Sequence, residues 1–301
     1  MNNNDIQTEF PVGVINWTNE EGARFPISMV SSGVHAGEIP LEKAHNLQEV
    51  GGGTATMKSE LERIGYLGSL DASYKAMPIA AHFELHIEQG PILEASGKKI
   101  GVVDGVQAFR WHLINVVGRD CHTGTTDLKN RSDAMLTAAK LILHSHNMAT
   151  ELECLASTGI LALKPGSINT VPGFVQFSLD IRSRDEDKLL HLEKSLKSDF
   201  AKIAAGDAIG RLNSQGTRGR GCTVSWKSDT TSPAIKFHQD CIQCVEDSVE
   251  DAIGEKDLAQ RMTSGAGHDR YVNSQNRLCF SDIVQLLYIK TRTNINDFCA
   301  V

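Results

Sequence analysis

Two stretches of the chain, Phe109 to Val117 and Phe174 to Ile181, alternate apolar and polar residues with the two-residue period of a half-buried strand. Around them the period lengthens to that of a helix. Arg131 to Asn147 carries Ala134, Leu136, Ala138, Ala139, Leu141 and Ile142 as its apolar face. Asp185 to Ala205 opens with acidic residues that suit a helix N-terminus. With Ser157 to Leu163 and Cys222 to Lys227 as further strands, the order is β-α-β-β-α-β, a split βαβ module of the ferredoxin-like kind.

The flanking segments read as an α/β domain. Pro11 to Thr18 is a β-rich run, and Ser31 to Ala36 and Gly51 to Thr54 read as loops. Thr54 to Ile64 reads as a helix, Ala80 to Ile87 as a strand, Gly97 to Val103 as a hairpin and Asp240 to Ile253 as a helix. Thr263 to Asp269 is a loop with a polar tip. The expected organisation is an α/β domain at 1–108 and 230–301, interrupted by an α+β insert at 109–229.

Composition narrows the function classes. The 301 residues, 41% hydrophobic and 22% charged, suit a globular protein large enough for two cores. A net charge of -7 argues against nucleic acid as a partner. The one tight basic group, Arg211, Arg218 and Arg220, sits among Gly, Ser and Asn and reads as a solvated loop. No apolar run approaches the roughly 20 residues that span a bilayer, and Met1-Asn2-Asn3-Asn4-Asp5 is neither a signal nor a transit peptide. Seven cysteines, an odd number without framework spacing, fit a reducing compartment, so the cytoplasm is expected. Cys241 and Cys244 form a CxxC on one helix face with no second pair, which reads as packed thiols. Gly51-Gly52-Gly53 lacks the Lys-Ser/Thr of a phosphate loop.

The chemistry concentrates in a few places. Glu20 and Glu21 follow the β-rich run, where one carboxylate can bind a metal while its neighbour takes a proton from water that the metal acidifies. A bare Glu-Glu pair is more often a solvated loop. His86 ends a strand, followed by Glu88 and Gln89. It suits a metal ligand or a satisfied core histidine equally, and His82, on the same face, reads as packing. Gln89 offers a planar amide to a polar substrate group. In Asp120 to Thr126, His122 can polarise a carbonyl. Asn169 and Arg182 can grip a carboxylate. Each of these three is, by spacing alone, more often structural. Ser31-Ser32-Gly33 lacks the lysine pattern of a serine amidase.

Taken together the segments carry a resemblance. Asn19-Glu20-Glu21-Gly22-Ala23-Arg24-Phe25, Phe83 to Pro91 and His122-Thr123-Gly124-Thr125-Thr126 stand in order, followed by Gly166 to Gly173, Leu179 to Arg182 and Ser264 to Asp269. The chain resembles the N-carbamoyl-L-amino-acid hydrolase family, with its β-alanine synthases (yeast-type β-ureidopropionases) and allantoate amidohydrolases, a branch of the dinuclear-zinc aminoacylase and carboxypeptidase superfamily. The resemblance runs from about Ile6 to Asp269. It implies a zinc-binding α/β domain with an inserted lid that also forms a homodimer. The implied reaction is hydrolysis of the C–N bond of an N-carbamoyl amino acid such as N-carbamoyl-β-alanine, releasing ammonia, carbon dioxide and the amino acid. The resemblance makes Glu20 the general base and Glu21 and His86 ligands of two zinc ions, with manganese as a replacement. It places Gln89, His122, Asn169, Arg182 and His268 at substrate-contacting positions, His122 reaching the partner subunit's site.

The chain also departs from this pattern. Relatives carry a His-x-Asp segment before the Glu-Glu pair and a ligand histidine after the Gly-His-Asp loop. Here fewer than twenty residues precede Glu20, none a histidine, and no histidine follows His268. From about Arg270 to Val301 the resemblance ends. Two ligands do not close a tetrahedral zinc site. The expectation is therefore an incomplete α/β zinc-hydrolase domain that binds zinc weakly and turns over little. The alternative is an inactive homologue that serves as a dimerisation partner.

Overall fold

The computed structural model describes residues 7–206, 219–253, 258–268 and 284–289. They fall into two units, Met1–Asp104 with Phe237–Val301, and Gly105–Lys236. Arg211, Arg218, Asp269 and most of the segment after Arg270 lie outside the described residues.

The first unit begins with a correction. Pro11 to Thr18 forms no strand, and Val12 and Val14 are 61% and 100% exposed. β-branched residues favour extension, but a strand needs a ladder partner, and none of the described residues supplies one. Ser31 to Ala36, expected as a loop, is helix α1 (Val30–Ala36), stopped by Gly37 at φ 82, whose N–H bonds Gly33 and Val34 carbonyls. Short α2 (Leu41–His45) and α3 (Met57–Arg63) follow. Thr56 caps α3 through a capping box with Ser59. Phe25, Val30, Ala44 and Met57 form the small core beneath them.

β1 (His82–Ile87) leads into α4 (Ile92–Ser96), whose first amides, Ile92 and Leu93, donate to the Glu88 carboxylate at 2.6 and 2.9 Å. The expected hairpin at Gly97 to Val103 is instead a helix stop and a strand. Gly97, at φ 70, closes α4, and β2 (Ile100–Val106) runs on from it. The glycine's left-handed backbone serves a helix cap and not a β-turn.

The second unit is built on alternation. Its elements are β3 (Ala108–Val117), β4 (Cys121–His122), α5 (Ala134–Glu151), β5 (Leu155–Ser157), β6 (Leu161–Lys164), β7 (Thr170–Val171), β8 (Phe174–Ser183), α6 (Glu186–Ala204), β9 (Thr223–Ser232) and β10 (Ile235–Lys236). The antiparallel sheet has the order β5-β8-β3-β9, with β6 also on β8. β3 and β8 pair without a break from Ala108 opposite Ser183 to Val117 opposite Phe174. Every second residue of β8 is buried, among them Val175, Phe177, Leu179 and Ile181. They pack against Leu141 of α5 and Leu189, Leu192, Leu196 and Phe200 of α6 in one cluster. Each such side chain contributes about 1.5–3 kcal/mol by leaving water. Leu136, expected on the apolar face of α5, is 47% exposed. Two short strands, β4 and β7, pair separately, setting His122 opposite Thr170.

The chain then returns to the first unit through α7 (Gln239–Ile253), β11 (Ala259–Ser264) and β12 (Val284–Ile289). β12 lies parallel to β1 and antiparallel to β2, and β11 is also on β2.

A buried histidine in the second unit bears on stability. His112 of β3 is 3% exposed, with Nε2 3.5 Å from a Glu193 oxygen. Burial pushes its pKa below 6.5, against the pull of Glu193 and helped by Lys197 and Arg110. Well above pH 6.5 neither folded nor unfolded chain binds this proton. As the pH falls below that value the unfolded chain takes it first, so stability drops. The melting temperature of the wild type is expected to fall more between about pH 7.5 and 5.5 than that of His112→Phe. Equal falls would contradict this.

Candidate metal and active site

Glu20 and Glu21 stand in a turn that Asn19 builds. Asn19 adopts φ 59, and its side-chain amide donates to the carbonyls of Phe25 (3.0 Å) and Ile27 (2.9 Å). Its Oδ1 accepts from the Phe25 amide at 3.1 Å. Gly22 has φ 70, and a Cβ there would lie 2.8 Å from the Ser28 nitrogen, so the bend requires glycine. The Met29 amide donates to the Glu20 carbonyl at 2.6 Å. The two carboxylates are thus carried on a bend fixed at several points.

Opposite them, β1 inverts the usual alternation. His82, Glu84 and His86 share the more buried face, while Phe83 and Leu85 are 50% and 66% exposed. His82 accepts a hydrogen bond from Trp17 Nε1 at 3.2 Å, a packed role. Burial lowers its pKa, with Glu84 opposing and His35 assisting. His86 Nδ1 lies 2.6 Å from the Ile87 carbonyl oxygen. A carbonyl only accepts, so Nδ1 carries a proton and donates there, which turns Nε2 the other way. That Nε2 faces Glu21 Oε1 at 3.6 Å and Glu20 Oε2 at 3.9 Å. Two carboxylates this close to one imidazole repel each other unless a positive charge lies among them.

Glu84 and His268 close the group. His268, 1% exposed in the bend after β11, stacks edge-on against His86 with ring centroids 4.7 Å apart. Its Nε2 is 2.7 Å from Ser264 Oγ and its Nδ1 is 3.6 Å from Glu84 Oε1. Burial pushes the pKa of His268 down, against the pull of Glu84. Burial pushes Glu84 up, but His268, His82 and His86 together outweigh it and hold the carboxyl below its ordinary value. Donor atoms of Glu20, Glu84, His86 and His268 all lie within 4.8 Å of one another. Carboxylate oxygens and imidazole nitrogens at that spacing fit a divalent cation.

Of the expected site residues in the first unit, the structure therefore brings Glu20, Glu21, His86 and His268 together. The Gln89 amide, at φ 54, donates to Glu21 Oε1 at 2.8 Å and so holds a carboxylate of the chain itself. Glu84 was missed by the sequence reading. Its signal was present: His82, Glu84 and His86 recur at two-residue spacing, which puts three ionisable groups on one strand face. Of the two expected ligands His86 is one of the four donors, and Glu21 lies beside it at 3.6 Å, because β1 and the Ser264–His268 bend meet at the Glu20 turn.

The other expected residues lie in the second unit. His122 Nδ1 accepts from the Gly124 amide at 3.0 Å, so in the neutral ring the exposed Nε2 carries the proton and can donate. The Thr123 amide and hydroxyl both donate to the Asn169 carbonyl, at 3.0 and 3.1 Å, which ties the His122 and Asn169 loops together. Asn169 Oδ1 accepts from Ser167 at 2.8 Å. Arg182 holds Asp180 through a two-point contact at 3.0 and 2.7 Å, so the fork expected for a substrate carboxylate already has a carboxylate partner. The sequence Asp180-Ile181-Arg182 allowed this, since residues two apart in β8 share a face.

Two further features stay structural. The Cys241 thiol is buried, which pushes its pKa up to about 11, far from the thiolate that metal or redox chemistry needs. Ser31 donates to the Thr18 carbonyl and Ser32 to the Met29 carbonyl, at 2.7 and 3.1 Å. No helix among the described residues is long and apolar enough to cross a membrane.

Known proteins share this architecture. An N-carbamoyl-L-amino-acid amidohydrolase of Rhizobium meliloti is 36% identical over 271 residues, which cover 89% of this chain and 60% of that protein. An allantoate amidohydrolase of Bacillus subtilis is 28% identical over 255 residues, 83% of this chain and 57% of that one. A solved structure of an amidase of the hydantoinase/carbamoylase family from Burkholderia multivorans superposes with a TM-score of 0.77 at 34% identity, over 96% of this chain and 64% of that one. The chain thus spans 60% and 57% of the length of these two curated relatives. Both curated relatives are named as amidohydrolases, one of N-carbamoyl-L-amino acids and one of allantoate. The match to the peptidase family M20/M25/M40 covers residues 1–281, past Asp269 where the motifs end, and the chain belongs to that family.

Proposed function

We propose that the chain carries metal-dependent hydrolysis of C–N bonds in linear amides or ureides, removing the N-carbamoyl group from an N-carbamoyl amino acid. The observation that carries this reading is the meeting of Glu20, Glu84, His86 and His268 donors within 4.8 Å, beside Glu21. Glu21 and His86 hold the cation, zinc or manganese in its place. A divalent cation bound there would supply the positive charge that polarises the carbamoyl carbonyl and lowers the pKa of water.

The rest is work for side chains. The carbamoyl carbon is a weak electrophile, so the attacking water must lose a proton as it adds, and Glu20 is the base that takes it. Gln89 keeps Glu21 oriented through the 2.8 Å bond, and the Ile87 carbonyl keeps Nε2 of His86 turned inward. His122 and Asn169 are donors for the oxyanion and the amino-acid portion of the substrate. Arg182 takes the substrate carboxylate by exchanging it for Asp180. His268 is a further substrate contact, brought beside His86 by the bend after β11. The second unit is the lid and forms a homodimer, a reading supported by exposed Leu155, Ile160 and Leu161 along its β5–β6 edge.

The test is ammonia release from N-carbamoyl-β-alanine, N-carbamoyl-L-amino acids and allantoate by the zinc-supplemented chain. Turnover of one of them is expected. Folded, metal-loaded protein that releases no ammonia from any would overturn the proposal.

A further inference from the structure

We infer that Arg131 is a positioning residue for the reaction: its guanidinium clamps the turn that carries His122, so that the exposed Nε2 of His122 presents its proton to the substrate at one fixed place. The inference rests on the reading of His122 as a substrate donor given above, and none of the motifs that point to the site includes Arg131.

The turn from His122 to Thr126 is exposed at His122, Gly124 and Thr125. Its first anchor is the β4–β7 pair, which sets His122 opposite Thr170. Its second is the Asn169 carbonyl, which accepts from the Thr123 amide and hydroxyl. Both anchors hold the start of the turn. Two of its carbonyls are left to a donor from elsewhere, and Arg131 takes both. Nε donates to the Thr126 carbonyl at 2.9 Å, and an Nη donates to the Thr123 carbonyl at 2.5 Å. One planar group thus joins the two ends of the turn, which a point charge cannot do. The bonds are charge-assisted, roughly twice as strong as neutral ones. Inside the clamp, the Gly124 amide donates to His122 Nδ1 at 3.0 Å and the Thr126 amide to the His122 carbonyl at 3.3 Å. The tautomer and orientation of the ring therefore depend on where Gly124 and Thr126 stand. Arg131 fixes the residues on either side of Gly124.

Arg131 can hold the turn because its own backbone is held. It stands in extended conformation, φ -88 and ψ 146, between the single turn Leu128–Asn130 and the cap of α5. Its carbonyl accepts from the Arg220 amide at 2.8 Å, and the Ser132 carbonyl accepts from the Arg119 amide at 2.9 Å. Asp133 then caps α5 by accepting from the Leu136 amide at 2.8 Å, and Ala134 is fully buried. The clamp ties an exposed polar turn to the hydrophobic core of its unit. A donor that serves a transition state must be in place before the reaction begins, and a misplacement of about 1 Å can cost about 100-fold in rate.

The experiment is a double-mutant cycle on the metal-loaded chain: wild type, Arg131→Met, His122→Ala and the double variant, with Arg131→Lys beside them. The substrate is whichever of N-carbamoyl-β-alanine, an N-carbamoyl-L-amino acid or allantoate the wild type turns over. Melting temperature and amide hydrogen exchange at Thr123 and Gly124 are read alongside kcat and KM. Arg131→Met is expected to fold, to lower kcat by about 10–100-fold and to leave KM within about threefold. Arg131→Lys, with one point of contact, should fall between. Once His122 is replaced, Arg131→Met should cost less than about twofold more, since the two residues act as one unit. A loss as large in the His122→Ala background as in the wild type overturns the inference, because a merely structural defect does not need the imidazole. So does wild-type kcat in Arg131→Met, and so does failure of both Arg131 variants to fold. A wild type that turns over none of the substrates sinks the hydrolase reading alone. Amide exchange then decides: faster exchange at Thr123 and Gly124 in Arg131→Met sustains the clamp, and unchanged exchange refutes it.

Discussion

Glu20→Gln is expected to lower kcat for ammonia release by about 10²–10⁴-fold, the usual worth of a positioned general base. The change keeps the shape of the side chain and removes only its ability to take a proton. The backbone that holds the turn is untouched, since Asn19 and Gly22 fix it through contacts that do not involve the Glu20 carboxylate. Glu21 and His86 remain to bind the cation, so metal content should stay at the wild-type level. KM should change little, because the lost interaction belongs to the transition state and not to binding. A steady-state assay with parallel metal analysis checks this. Undiminished kcat in a metal-loaded variant would remove Glu20 from the chemistry.

The parts of the fold that sequence made visible are those in which a single face is buried. β3 and β8 alternate because one side packs on α5 and α6, and the alternation reads directly as strand. Asp185 announces the start of α6 by accepting from the amides of Asp187 and Lys188. What sequence hid depended on partners distant along the chain. Pro11 to Thr18 has strand composition but no ladder. Gly97 fits a β-turn and a helix stop equally until the helix before it is known. The site followed the same rule. Glu20, Glu21 and His86 were legible from their motifs. Glu84 was not, because a glutamate on a strand becomes a donor only when His268, 184 positions later, folds back against it. Arg182 shows the converse, since its neighbour Asp180 answers a need that seemed to call for substrate.

The largest effect of all is expected from taking the cation away. Without it, the carbonyl loses its polarising charge and water returns to an ordinary pKa, each worth several orders of magnitude in rate. The same removal takes away the positive charge that would draw the Glu20 and Glu84 carboxylates together beside His86 and His268. The stripped protein should therefore lose thermal stability as well as turnover, and added zinc should restore both by mass action. The decisive measurement is ammonia release from an N-carbamoyl amino acid by one preparation, first chelated and dialysed, then titrated with zinc, with bound zinc counted at every point. The predicted result is no turnover in the stripped chain and activity that rises in step with zinc held by the protein. Turnover that is indifferent to zinc, or a folded chain that binds zinc tightly and never releases ammonia, would contradict it.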